Sequence, residues 1–191
     1  MAKATQQSFA CNCGSLRGHV TAQGIKTGHR LACFCADCRA AELYHRQADP
    51  APGPVDLFQL SPDTIEITQG ADQLRLIRLS PKGILRWYAG CCGTPFANTL
   101  AKATLPFAGL RSDLFANSDA LGKIRTRSFM PQPGKPPRTK GAAAMVLGIF
   151  KRMATSRLSG QWRHTPFFDI EAGHPVAKAK ILTKDERAQL Y

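Results

Sequence analysis

The chain has 191 residues, 43% of them hydrophobic, and carries a net charge of +13. No run approaches the roughly 18 apolar residues that a membrane-spanning helix needs, and "MAKATQQSFACNCG" at the N-terminus has no apolar core of leader length, so a cytoplasmic protein is expected. The length suits one domain with an appendage, and seven cysteines, an odd number, point to metal or thiol chemistry rather than complete disulfide pairing.

Residues 8–110 read as short strands broken by turns. "LRGHV" (16–20), "RLACFC" (30–35), "VDLFQL" (55–60), "TIEIT" (64–68), "QLRLIRLS" (73–80) and "ILRWYA" (84–89) are rich in branched and aromatic residues. "ADPAPGP", "SPD", "TQGADQ" and "SPKG" separate them as turn signals. The simplest topology is a meander of antiparallel strands. "KIRTR" (123–127) would place Lys123, Arg125 and Arg127 on one face of a strand, and "MPQPGKPPRTKG" (130–141) reads as an extended linker or surface arm.

A helix is expected over about 142–158, with Val146, Ile149, Phe150 and Met153 at helical spacing and Gly160 as its stop. Its apolar stripe is expected to dock on the β region and close the core, a membrane surface being the other option. "ILTKDERAQLY" (181–191) reads as a short helix with Thr183 as N-cap and Glu186 completing a capping box. Charge divides the chain in two. Residues 1–121 carry twelve basic and nine acidic side chains, whereas 122–191 carry fourteen and four. The expected organisation is a cysteine-rich zinc-binding β domain (8–121) followed by a basic, partly helical extension (122–191) packed on it.

All seven thiols lie in the first part: Cys11 and Cys13 in "CNCG", Cys33, Cys35 and Cys38 in "CFCADC", Cys91 and Cys92 in "GCCGTPF". In an extended strand residues i and i+2 share a face, so each C-x-C pair can offer two sulfurs to one ion. A turn beginning at Ala36-Asp37 would bring Cys38 back to Cys33 and Cys35. Zinc is the metal that thiolates so spaced commonly hold. "CADC" alone would also suit a thioredoxin-type pair, but that motif belongs to a strand-to-helix junction of an α/β fold, which the β-rich surroundings do not suggest. His19, His29 and His45 lie near these motifs, His29 being the first candidate for a further ligand or acid–base group.

In motif order the chain resembles the glutathione-dependent formaldehyde-activating enzymes, a family that includes the centromere protein V domain. The resemblance rests on "CNCGSLRG" (11–18), "CFCADCR" (33–39) and "YAGCCGTPF" (88–96), and spans about residues 8–110. It implies a small antiparallel β-tent with two zinc positions. One would be structural, on Cys11, Cys13 and the two later cysteines. The other would be catalytic, on Cys33, Cys35 and Cys38 with a fourth corner left to substrate. It implies a carbon–sulfur lyase of the S-(hydroxymethyl)glutathione synthase type, acting on a small-molecule thiol or thiol adduct such as that of glutathione. Two positions depart from the pattern. Ala89 stands where the third motif has its first cysteine, with Cys91 as the substitute if Gly90 and Gly93 permit a tight turn, and Phe34 stands where histidine is common. A rival expectation is a non-catalytic, zinc-stapled module that binds nucleic acid or another polyanion through the basic part. A third is a redox or metal-handling thiol protein.

Overall fold

In the computed structural model, which describes residues 5–191, the first half of the chain runs β1 (Gln7–Ala10), β2 (Arg17–Val20), α1 (Ala22–Thr27), β3 (His29–Cys33), α2 (Ala36–Tyr44), β4 (Val55–Leu60), β5 (Ile65–Gln69), β6 (Leu74–Arg78), β7 (Leu85–Ala89), β8 (Pro95–Thr99) and β9 (Ala108–Arg111). The second half adds β10 (Thr126–Gln132), β11 (Lys135–Lys140), α3 (Ala142–Leu158), β12 (Phe168–Asp169), β13 (His174–Pro175), β14 (Ala179–Ile181) and α4 (Lys184–Ala188). The first four residues of the segment read for a leader lie outside the described part. No helix among the described residues is long and apolar enough to cross a membrane.

The fold is mainly β. A three-stranded sheet, β1-β2-β5, faces an open nine-stranded sheet ordered β11-β10-β3-β4-β9-β8-β7-β6-β14. Only β6 to β9 form the expected meander. β5 leaves for the smaller sheet, and β10 and β14 add in parallel beside β3 and β6. Parallel neighbours need long crossovers, which short-range turn signals do not reveal.

Alternation in the strands places the core. Leu74 and Leu76 of β6 and Leu85 and Trp87 of β7 face Phe9, Leu16, Val20 and Ile65 of the smaller sheet. Phe9 packs against Phe96 with ring centroids 5.3 Å apart and against Phe115 at 6.0 Å. On the opposite face of β6, Ile77 and Leu79 meet Ala40 of α2 and Leu182.

The C-terminal part is woven into this frame. Phe167 is fully buried, 5.1 Å from Trp87 and 6.1 Å from Phe96; burial of such a ring is worth about 2–3 kcal/mol. The stretch read as a linker is instead the β10–β11 hairpin. Pro136 and Pro137 are tolerated because β11 is an edge strand with exposed residues and a shifted register, and Pro131 lies in β10 beyond its pairing with β3. Of "KIRTR", Arg127 alone of the three cations lies within β10, although all three are exposed. The C-terminal helix has the expected capping box, Glu186 N–H donating to Thr183 Oγ1 at 3.1 Å and Thr183 N–H to Glu186 Oε2 at 2.9 Å.

The helix over 142–158 forms as expected, with Gly160 in the left-handed region just beyond it, but its packing does not follow the expected stripe. Ile149 and Met153 are half-buried, while Val146 and Phe150 point to solvent. The helix turns Met145, Ile149, Arg152 and Ser156 toward the body, and the core is closed by Phe167 and Phe168 instead.

Candidate metal centres

The seven cysteines converge into two clusters, and all seven are free thiols. In the first, β1 ends in a tight loop. Gly14 N–H donates to the Cys11 carbonyl at 2.8 Å, and the amide of Leu16 points at Cys11 Sγ at 3.3 Å, a donor aimed at a sulfur that can carry negative charge. Cys13 projects from the same loop. Across from it, β7 ends at Ala89, whose carbonyl accepts from the amides of both Cys92 (3.3 Å) and Gly93 (2.8 Å). Gly93 has φ +73°, and a Cβ on Gly90 would meet the Arg75 side chain at 2.8 Å, so the turn requires both glycines. Adjacent residues of a strand point apart; this turn brings Cys91 and Cys92 to one centre.

Cys11 Sγ lies 3.6 Å from Cys13 Sγ and 3.7 Å from Cys91 Sγ, Cys13 to Cys91 is 3.4 Å, and Cys91 to Cys92 is 3.8 Å. A tetrahedral ion about 2.3 Å from each sulfur sets edges of about 3.8 Å, so the donors fit such an ion. Ala89, at the position where the resembled motif has cysteine, is buried in the core. Cys92 Sγ also touches Thr94 Oγ1 at 3.0 Å, and that oxygen accepts from the Asn12 amide at 3.1 Å, tying the two loops together. The hydroxyl and amide of Ser15 beside Cys13 lower its thiol to about 6.

The second cluster sits where β3 hands over to α2. Cys33 ends the strand, Cys35 is the N-cap of the helix and Cys38 lies in its first turn. Their sulfurs all lie within 4.8 Å of one another, Cys33 to Cys35 at 3.3 Å. The Cys38 amide donates to Cys35 Sγ at 3.3 Å. Hydrogen bonds from Cys33, Cys38 and the Cys38 amide hold the Cys35 thiol far below its ordinary value, and the same sharing pushes Cys33 up to about 11. Negative charge in the trio is therefore favoured on Cys35, with Cys33 and Cys38 as donors to it. The strand-to-helix setting of a thioredoxin-type C-x-x-C, unexpected from the β-rich sequence, is present here, with Cys33 as a third sulfur beside it.

The clusters differ in surroundings. Cys33 and Cys35 border an open cleft of about 200 Å³, walled by Phe34, Pro131, Val55 and the loop through Pro52, with Arg39 at its rim. Arg39 is paired with Asp49 through contacts of 2.8 and 2.7 Å. Behind Cys38, a void of about 20 Å³ touches Glu42, His45, Arg86 and Arg111, room for a single water. Glu42 is buried and ion-paired with Arg111, yet desolvation outweighs the arginine and lifts its carboxyl to about 7. Burial, helped by Arg111, lowers His45 to about 4, so its ring is neutral against Tyr88, 4.3 Å away. Sequence reading missed this polar group because it missed α2. Once Ala36–Tyr44 is helical, Glu42 stands one turn beyond Cys38 on the same face.

The histidines join neither cluster. His29 is buried with Nε2 2.8 Å from Thr126 Oγ1, a link between β3 and β10, and His19 pairs with Glu66 at 3.1 Å. His164 and His174 are exposed.

The model of a family of unknown function, DUF6151, matches residues 1–180, and the chain belongs to that family. No curated protein matches the chain. Among solved structures it is similar to a Rhodobacter sphaeroides protein determined as a structural genomics target, at 17% identity over 61% of this chain and 96% of that one, with a TM-score of 0.43.

Proposed function

We propose that this member of a family of unknown function binds two zinc ions and makes or breaks a carbon–sulfur bond in a thiol adduct, glutathione-linked adducts included, at Cys33, Cys35 and Cys38. The observation that carries the reading is the contrast in donor count. Four sulfurs surround one point, whereas three surround the other and two of those line a cleft. All-sulfur ligation favours zinc among common metals. The resemblance to formaldehyde-activating enzymes supplies the reaction class.

Zinc bound by the trio would supply Lewis acidity and a charge that stabilises an incoming thiolate. The rest falls to the chain. Cys33 and Cys35 define the side from which a substrate sulfur approaches, and Phe34, Val55 and the proline walls offer apolar surface beside the reacting atoms. Addition of the deprotonated sulfur to an aldehyde carbon forms the carbon–sulfur bond as the carbonyl π bond breaks, and a proton equivalent to the one the thiol released ends on the former carbonyl oxygen, with no oxidant or reductant consumed. Glu42 stands behind Cys38, away from the cleft, so its raised carboxyl faces the back of the trio and not the substrate.

Elemental analysis tests the metal content, with two zinc equivalents expected. Cys35→Ser should lose one equivalent and the turnover of glutathione with formaldehyde, followed by NMR, while remaining folded. An unfolded Cys35→Ser would make the site structural. Cys91→Ser should lose the other equivalent.

The rival, a zinc-stapled module for nucleic acid, draws on the ten cations and no acidic residue between positions 120 and 168. Deleting that stretch would remove β10 from the sheet, so neutralising Arg127, Arg138 and Lys140 is the usable variant. Steeply salt-dependent DNA binding that survives Cys35→Ser and is lost in that triple variant would favour the rival.

A further inference from the structure

Helix α3 carries a second, outward-facing apolar stripe besides the residues it turns inward. Toward the body it presents Met145, Ile149, Arg152 and Ser156. Ser156 Oγ donates to Asp63 at 2.7 Å, Arg152 Nη1 to the Thr27 carbonyl at 3.1 Å, and Met145 Sδ lies 3.9 Å from Ser128 Oγ. Met145 alone of these packs on a core cluster, that of Leu31, Val55 and Leu57; further along, between α3 and α1, runs an open cleft of about 790 Å³ lined by hydroxyls, Asp63, Lys26, Lys151 and Arg152, so polar groups lie beneath the rest of the helix. Toward solvent it presents Ala143, Leu147, Phe150, Ala154 and Leu158, which fall at steps of three or four residues along one face. Leu147 is 72%, Phe150 65% and Leu158 90% exposed, with Val146 beside them. The stripe is about 22 Å long, and exposed apolar area of this kind marks an interaction surface.

Charge identifies the occupant. Residues 120–168 hold ten lysines and arginines and no aspartate or glutamate. Lys140, Lys151 and Arg157 border the stripe and are exposed. Just past the helix, the guanidinium groups of Arg157 and Arg163 lie 5.1 and 4.7 Å from the centre of the Trp162 ring. A second copy docked face to face would set these cations against their equals. Nucleic acid would satisfy the cations and leave the leucines and phenylalanine in water. An anionic bilayer satisfies both, its acyl boundary taking the stripe while long basic side chains reach the headgroups.

We propose that α3 docks this protein on an anionic phospholipid surface, lying in the plane of the interface with Leu147, Phe150 and Leu158 in the acyl boundary. The site needs neither cysteine cluster, so it stands apart from the proposed zinc chemistry.

Co-sedimentation of the full, zinc-loaded chain with vesicles tests it. Binding is expected to phosphatidylcholine mixed with phosphatidylserine and to be at least about tenfold weaker to phosphatidylcholine alone. Leu147→Glu with Phe150→Glu, on an exposed face and checked for unchanged zinc content and circular dichroism, should lower affinity for mixed vesicles at least about tenfold. Lys151→Ala and Arg157→Ala should each cost about fivefold. Fluorescence of a Phe150→Trp variant should be quenched by brominated acyl chains. Absence of vesicle binding, or binding that the Leu147/Phe150 pair does not weaken, would overturn the proposal. So would DNA binding untouched by that pair in a chain that ignores vesicles, or a dimer that the pair dissolves without any vesicle affinity.

Discussion

The two cysteine clusters use the same donor atom in opposite ways. The four-sulfur cluster joins loops about eighty positions apart, one following β1 of the small sheet and one between β7 and β8 of the large sheet. An ion there would staple the two sheets whose facing sides make the core. The three-sulfur cluster lies within six residues and ties only the end of β3 to the start of α2, elements already joined by the chain. Loop-closure entropy would make the first cross-link worth much and the second little, so on the proposed reading an ion in the long-range cluster would serve stability and one in the local cluster would be free to serve chemistry.

Removing one sulfur from each cluster is the strongest way to break this comparison. Cys11→Ser should cost about 3 kcal/mol or more, because the staple is lost and a buried sulfur leaves the core. Thermal unfolding should then fall by about 6–12 °C, given about 2–4 °C per kcal/mol at this size. Cys35→Ser should release a metal equivalent with a shift of only a few degrees. Equal shifts in the two variants would abolish the distinction.

Buried Glu42 gives the next effect, behind the local cluster. Its carboxyl is raised to about 7, so the folded chain keeps a proton that the unfolded chain has already lost above the ordinary carboxylate range. The native state therefore binds more protons in that window, and stability should decline as pH rises from about 4.5 to 7, by up to roughly 3 kcal/mol. Glu42→Gln should flatten that slope in denaturant titrations at stepped pH, and an unchanged slope would remove Glu42 from the account.

The smallest and sharpest test is thiol reactivity in the metal-free chain. Cys35, its thiol held far down and bordering a cleft, should react with iodoacetamide from acid to neutral pH, whereas labelling of Cys13 should fall off as pH drops below about 6. Peptide mapping by mass spectrometry reads both. Mild oxidation should join Cys35 to Cys38 before any pairing in the other cluster, and the reverse order would mean that the hydrogen bonds from Cys33 and Cys38 do not activate Cys35.

Much of this was legible in the sequence. Strand alternation in "QLRLIRLS", the capping box at Thr183 and the limits of the 142–158 helix are short-range properties, and each stands where the residues placed it. The hairpin over 130–141 is not legible because proline density signals an extended arm and an edge strand alike. In "ADCRAAELY" the strong helix formers Ala, Arg, Glu and Leu do signal α2, but the sulfur spacing and β-rich surroundings mask that signal.

From its own letters the chain determined the mainly β character, the grouping of thiols and the convergence of Cys33, Cys35 and Cys38, since spacings of two and three residues act through local backbone geometry. Only the tertiary structure decided that Cys91 and Cys92 both reach Cys11 and Cys13, that Phe167 rather than α3 seals the core, and which side of α3 faces water. Those outcomes depend on contacts between residues far apart in the chain, and helical periodicity defines a stripe without saying whether it turns inward or out.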